Sequence, residues 1–272
     1  MPSYVEAAAG IAREAGALIN EYLARHIGFE LKGEFDLVTE ADRASEALIV
    51  ARLKKEFPTH TIVGEEGGAR QGSSEFRWYV DPLDGTTNFA HGFPAFNVSM
   101  GLERAGALIA GVIYDPTRDE LFSAEKGAGA FLNQRPIHVS KTSRLEASLL
   151  ATGFPSRKRH LNINIHFYYQ AAMLSHGVRR AGAAALDLAY VACGRLDGFW
   201  EFALHPWDVA AGVLLIREAG GTCTDMHGAP LDLHGPHLLA DNTALHPALI
   251  ELFAQIFAGK QVFPLPEINR AG

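Results

Sequence analysis

The stretch RWYVDPLDGTTNFAHG, residues 77–92, carries an apolar run into two aspartates, a glycine and two threonines. A structural turn needs only one Asp, Asn or Gly. Two carboxylates this close raise each other's pKa and destabilise a fold unless cations neutralise them. Pro82 fixes its own φ and biases Asp81 toward an extended conformation. The chain can then fold back so that Asp81, the Leu83 carbonyl and Asp84 face one point. Gly85-Thr86-Thr87 opens a short helix over TTNFAH, whose first amides suit a phosphate. Cation ligands beside a phosphate cradle point to phosphoryl chemistry. The plainer alternative is a capped turn with solvated acids.

Other acids also end apolar runs: Glu65 and Glu66 after TIVG, and Asp208 after HPW. If these segments converge, four or five carboxylates share one pocket, and oxygen-only ligands suit Mg²⁺ before Ca²⁺ or Zn²⁺. An EF-hand would need acids at alternate positions and a Glu at its twelfth, which this stretch lacks. No G-x-x-x-x-G-K-[ST] and no G-x-S-x-G occurs. Gly127-Ala128-Gly129 starts a dinucleotide-like pattern, but Leu132 stands at its third glycine, so it reads as a turn.

The 272 residues give ample core without staples, and 48% hydrophobic with 20% charged residues is ordinary for a globular enzyme or binding protein. A net charge of −7 argues against a general nucleic-acid or anionic-membrane surface. Arg157-Lys158-Arg159-His160 is a local basic cluster that reads as a solvated loop. Cys193 and Cys223, both in apolar surroundings, form no disulfide framework or zinc spacing. The first helical pattern is neither a signal peptide nor a membrane span, which places the chain in a reducing compartment, the cytoplasm. Asn97-Val98-Ser99 is a chance glycosylation triplet.

Two helical patterns open the chain, over 3–25 and 40–57, and short strands follow at HTIVG and FRWYV. Residues 95–140 read as an antiparallel meander. Then ASLLATG and LDGFWEF read as strands. NINIHFYYQAAMLS, AAALDLAYVACG, DVAAGVLLIREAG and LHPALIELFAQIF read as helices. The expected division is 1–145, with the antiparallel sheet and the acid motifs, and 146–272, an α/β half, rigidly joined as one compact unit with the site in the crevice.

These motifs resemble the lithium-sensitive, magnesium-dependent inositol monophosphatases over nearly the whole chain. The resemblance is carried by DLVTEAD (36–42), GEE (64–66), DPLDGTTNF (81–89), GAGAFLN (127–133) and WDVAAGVLLIREAGG (207–221). GRLDGFWEFALHPWD (194–208) is most similar to bacterial members, and less to bisphosphate nucleotidases or fructose bisphosphatases. The resemblance implies an α+β fold, a layered αβαβα sandwich of the inositol monophosphatase and fructose bisphosphatase type, commonly homodimeric.

It further implies two or three Mg²⁺ ions. Glu65, Asp81 and the Leu83 carbonyl would hold the first, and Asp81, Asp84 and Asp208 the second, with a weaker third leaning on Glu65. Glu65 and Thr86, paired with Asp42, would orient the attacking water, and the amides of Gly85 and Thr86 would bind phosphate. Glu201 would accept from two hydroxyls of a phosphorylated polyol, beside Gly182, Ala183 and Ala184. Related enzymes often carry Ser or Thr where this chain has Ala183, so one substrate contact is missing here.

Other residues are given lesser roles. Asp36 is a turn or cap residue, Lys32 an exposed lysine, His205 structural, Trp207 packing beneath Asp208, His91 outside the site and Glu66 a support for Glu65. The implied activity is hydrolysis of inositol monophosphate without a covalent intermediate. Fructose-1,6-bisphosphate, histidinol phosphate and 3′-phosphoadenosine phosphate are rival substrates. A binding role in bacterial transcription antitermination is the alternative from another class, and the acidic charge balance lends it no support.

Overall fold

The computed structural model describes residues 3–25, 29–33, 36–155 and 161–265, so the Arg157–His160 cluster lies outside the described residues. Helix α1, Tyr4–Ala24, starts at a capping box in which Ser3 Oγ accepts from Glu6 N at 3.1 Å and Glu6 Oε2 accepts from Ser3 N at 2.8 Å. Its small apolar stripe, Ile11, Ala15 and Ile19, is buried. A hairpin of β1 (Phe29–Gly33) and β2 (Asp36–Thr39) runs straight into α2 (Glu40–Glu56). Asp36, expected in a turn or cap, therefore opens a strand, because its backbone pairs with Gly33.

The first sheet contains β3 (Thr61–Gly64), β4 (Gly68–Arg70), β5 (Phe76–Asp84), β6 (Asn97–Arg104), β7 (Ala107–Asp115), β8 (Glu120–Glu125), β9 (Gly129–Leu132) and β10 (Arg135–Ile137), with the short helix α3 (Thr86–Ala90) after β5. Its order is β10-β9-β8-β7-β6-β5-β3-β4, antiparallel except for the β3–β5 pair. The second sheet, β12-β11-β13-β15-β14, is built from β11 (Leu149–Thr152), β12 (Gly177–Arg179), β13 (Gly198–Phe202), β14 (Thr222–Thr224) and β15 (His237–Asp241). Among these run α4 (Asn164–Leu174), α5 (Ala184–Ala192), α6 (Pro206–Glu218) and α7 (His246–Phe257).

Three apolar clusters separate five layers. One joins α1 and α2 to the first sheet, one holds α5 and α6 between the sheets, and one packs α4 and α7 on the far face of the second. The order is αβαβα, an α+β fold.

Glycines let α6 lie directly on the first sheet. A Cβ at Gly101 would sit 2.6 Å from Ala210 Cβ, and one at Gly111 would sit 2.9 Å from Ala211 O. A Cβ at Gly212 would meet Leu188 of α5 at 2.5 Å. This close seating, not a loop, aims the first turn of α6 and its Asp208 at the end of β5. Leu215 is fully buried in that layer, and cutting it to Ala would cost about 2–5 kcal/mol.

Candidate active site

Strand β5 does not stop at Val80, where the apolar run ends, but continues through Asp84. Its register against β6 slips there, since Asp81 faces Ser99 and Asp84 faces Asn97. The extra residue kinks the strand end, a feature that re-aims side chains. Asp81 Oδ1 accepts from Leu83 N at 3.0 Å, which folds the carboxylate over the turn. Gly85 follows at φ +88, and a Cβ there would lie 2.7 Å from Ala95 O, so only glycine fits. Thr86 then starts α3, and the amides of Gly85 and Thr86 have no intrahelical acceptor.

Asp42 meets this turn from α2. Its Oδ2 accepts from Thr39 N (2.8 Å) and Thr39 Oγ1 (2.6 Å), and its Oδ1 faces Thr86 Oγ1 at 2.9 Å. Thr86 Oγ1 also lies 3.1 Å from Leu83 O. One hydroxyl hydrogen cannot serve both, and the carboxylate is the stronger acceptor. Asp208, in the first turn of α6, accepts from His205 N at 2.7 Å.

Glu65, Asp84, Gly85, Thr86, Gly182, Ala184, Glu201 and Asp208 all line one cleft of about 190 Å³ between the two sheets. Asp81 and Leu83 are buried behind it. Ala183, expected on the substrate wall, is buried at 1% exposure and does not line the cleft, because its peptide turns inward to begin α5. His91 and His205 are exposed and also stand apart from the lining. His205 stacks on Trp207 with ring centres 4.7 Å apart.

Several residues that hold the site were missed in the sequence. Glu46 on α2 accepts from Glu66 N (2.8 Å), Gly67 N (3.0 Å) and Arg70 Nη1 (2.8 Å), fixing the loop that carries Glu65. Asn97 Nδ2 donates to Asp84 Oδ2 at 2.7 Å, so the asparagine of the apparent glycosylation triplet is buried structure. Asn88 Nδ2 reaches Ala181 O at 2.8 Å and ties the first half to the second. Gly153 leaves room for Glu201, whose Oε2 would sit 2.0 Å from a Cβ there. Arg180 and Phe154 also line the cleft. Buried Asp187 was visible as an acid in the apolar AAALDLAYVA helix.

The electrostatics are lopsided. Burial, then the charges of Glu65, Asp84 and Asp208, hold the Asp81 carboxyl well above the usual range. Burial pushes Asp84 up to about 6 against the hydrogen bonds of Asn97 and of the Ala184, Ala185 and Leu186 amides. Asp208 is raised by burial and by Asp84 and Glu65, while the His205 amide opposes. Glu201 is raised by burial, then Asp187, Asp208 and Asp84, with Arg180 opposing. Asp81, Asp84, Asp208 and Glu201 form no ion pair among the described residues.

The acids face one cleft without closing on a single point. Among the described residues no three His, Cys, Asp or Glu side chains form a ready ion-binding group as they stand. Instead each of Asp81, Asp84 and Asp208 leans on a backbone amide. The donor set itself, carboxyls raised by burial first and, at Asp81 and Asp208, then by neighbouring charges, and set beside a carbonyl, fits a hard cation.

A five-layer αβαβα sandwich with acids gathered at the crevice between its sheets defines a layered phosphatase, a hydrolase of phosphoric monoesters. The chain belongs to the inositol monophosphatase family, whose model matches residues 1–258. An inositol-1-monophosphatase of Mesorhizobium japonicum is 48% identical over 230 residues, 84% of this chain and 86% of that protein. The Nus factor SuhB of Pseudomonas aeruginosa is 48% identical over 247 residues, 88% of this chain and 91% of that protein. Among solved structures, the inositol monophosphatase of Anabaena superposes with TM-score 0.85 at 44% identity, covering 93% of this chain and 96% of that one. No helix among the described residues is long and apolar enough to cross a membrane.

Proposed function

We propose that the chain hydrolyses inositol monophosphate to inositol and phosphate with Mg²⁺ and without a covalent intermediate. The observation that carries this reading is the Asp42–Thr86 pair set beside one cleft that Glu65, Asp84 and Asp208 line and Asp81 backs. Glu65, Asp81 and the Leu83 carbonyl would hold one ion, and Asp81, Asp84 and Asp208 a second. Bound Mg²⁺ supplies Lewis acidity, lowering the pKa of water and neutralising phosphate charge.

The residues do the rest. Thr86 spends its hydrogen on Asp42 Oδ1, which leaves its oxygen lone pairs to accept from the attacking water and orient it. Glu65, on the loop that Glu46 braces, takes the proton from that water. The amides of Gly85 and Thr86 hold phosphate oxygens where negative charge builds. Glu201, backed by Gly153, accepts from neighbouring hydroxyls of the leaving polyol. A homodimer and inhibition by Li⁺ belong to the same reading.

The test is phosphate release, with Mg²⁺ or with chelator, from inositol-1-phosphate, fructose-1,6-bisphosphate, histidinol phosphate and 3′-phosphoadenosine phosphate. Mg²⁺-dependent turnover led by inositol-1-phosphate is expected, and a lead by another ester overturns the substrate. Relatives named Nus factor SuhB favour a second, compatible reading, a binding role in bacterial transcription antitermination. Capture of transcription proteins that survives Asp84→Asn would support it.

A further inference from the structure

Helix α5 begins without a cap of its own. Its N-cap residue is Ala183, at φ −144 and ψ 95, with no side-chain hydrogen bond. The first amides of a helix have no intrahelical acceptor, and a buried amide left unmatched is costly. In α5 the second of them turns to an acid 101 residues earlier in the chain. Asp84 Oδ2 accepts from Ala185 N at 2.8 Å. Asn97 Nδ2 fixes the same oxygen from the other side at 2.7 Å.

An N-cap Ser or Thr accepts from the second or third amide of its helix. With Ala183 as N-cap, the second of those amides belongs to Ala185, which Asp84 already takes, and the third to Leu186. A hydroxyl at position 183 would compete with Asp84 for the Ala185 amide.

We propose that Asp84 caps α5 in addition to its work at the cleft, and that Ala183 is a positioning residue that leaves the helix end to it. The first turn of α5 also brings Ala184 to the cleft wall. One carboxylate thus ties the acid cluster of the first sheet to the substrate wall of the second half. The capping claim stands on hydrogen bonds alone. The claim about ion binding rests on the proposed function, and the two arms of the test keep them apart.

The first arm is thermal unfolding in chelator. Asp81→Ala is expected to raise the midpoint, because it removes repulsion and breaks only one amide contact. Asp84→Ala is expected to melt about 3 °C below Asp84→Asn, which gives up the same charge but whose amide oxygen still caps, the scale of a lost helix cap in a domain this size. Ala183→Ser should restore the midpoint of Asp84→Ala without restoring its Mg²⁺ binding.

The second arm is calorimetry with Mg²⁺ alone. Ala183→Ser in the otherwise native chain should weaken Mg²⁺ by about threefold, below the tenfold or more seen when a ligand's partner is deleted outright. Ala183→Gly, which adds no hydroxyl, should leave the affinity unchanged.

The cap is overturned if Asp84→Ala in chelator is as stable as Asp81→Ala, or if Ala and Asn at position 84 behave alike. An unchanged Mg²⁺ affinity in Ala183→Ser overturns the positioning role. Absence of Mg²⁺ binding by the native chain overturns the ion reading and leaves the first arm to decide the cap.

Discussion

Buried carboxylates occur in two settings in this chain. Glu46, 3% exposed, accepts from two amides and from Arg70 Nη1 at 2.8–3.0 Å. Asp115, fully buried at the end of β7, accepts from Thr117 N, Thr117 Oγ1 and Arg118 N, and pairs with Arg118 Nη1 at 2.7 Å. Asp81 is as deeply buried at 2% but accepts from one amide, and its charged neighbours are Glu65, Asp84 and Asp208. A buried charge is tolerable only when it is matched. The acids of the first setting are matched by the chain itself and build the scaffold. Those of the second gather around a cleft where carboxylates face carboxylates, and the function proposed above makes them the working groups.

Asp81→Asn should break this contrast most severely. Phosphate release should fall about a thousandfold or more, comparable to losing a principal electrostatic stabiliser, while the chelated protein becomes more stable. Kinetics and thermal unfolding of one variant check both signs. A variant both inactive and less stable in chelator would place Asp81 in the scaffold class.

Glu46→Ala should do the reverse. It strands the Glu66 and Gly67 amides and should cost about 3 kcal/mol in denaturant unfolding, with a smaller loss of turnover as the Glu65 loop loosens. Glu201→Gln is narrower still. It should raise KM for inositol-1-phosphate about tenfold, the value of roughly one charged hydrogen bond, and leave esters of simple alcohols unaffected. An equal effect on every substrate would remove its role in polyol recognition.

The smallest effect is on pH dependence. Asp84 sits near 6 in the folded chain against an ordinary 3.8, and Asp81, Asp208 and Glu201 are also raised. A carboxyl raised on folding binds more protons folded than unfolded between its two values, so stability falls as pH rises through that interval. The penalty is absent below about pH 4, is complete near pH 6 for Asp84, and is driven in the same direction by the other three. Burial lowers His60 and His237, which acts oppositely below about pH 6.5. The measured quantity is therefore the difference between the native chain and Asp81→Asn in chelator, and the native chain should show the steeper fall.

Much of this contrast was legible in the sequence, since acids closing apolar runs stand out against a strand. The long helices were readable too, from their apolar period. What escaped depends on distant partners. Glu46 looks like any acid on a surface helix until the Gly64–Arg70 loop folds onto it. Asn97 reads as part of a glycosylation triplet, and its contact with Asp84 exists only through the β5–β6 register. The short strands β4, β12 and β14 have three residues each and are strands only because a neighbour pairs with them. Ala183 was placed on the substrate wall by the resemblance, but the turn into α5 buries it.

The most direct test of the account is a Mg²⁺ titration of the thermal midpoint, run on the native chain and on Asp81→Asn. The account predicts a rise with Mg²⁺ in the native chain, as for any ligand that binds only the folded state, and little or none in Asp81→Asn. No rise in the native chain, or an equal rise in both, would contradict the claim that Asp81 and the acids of the cleft are there to hold cations.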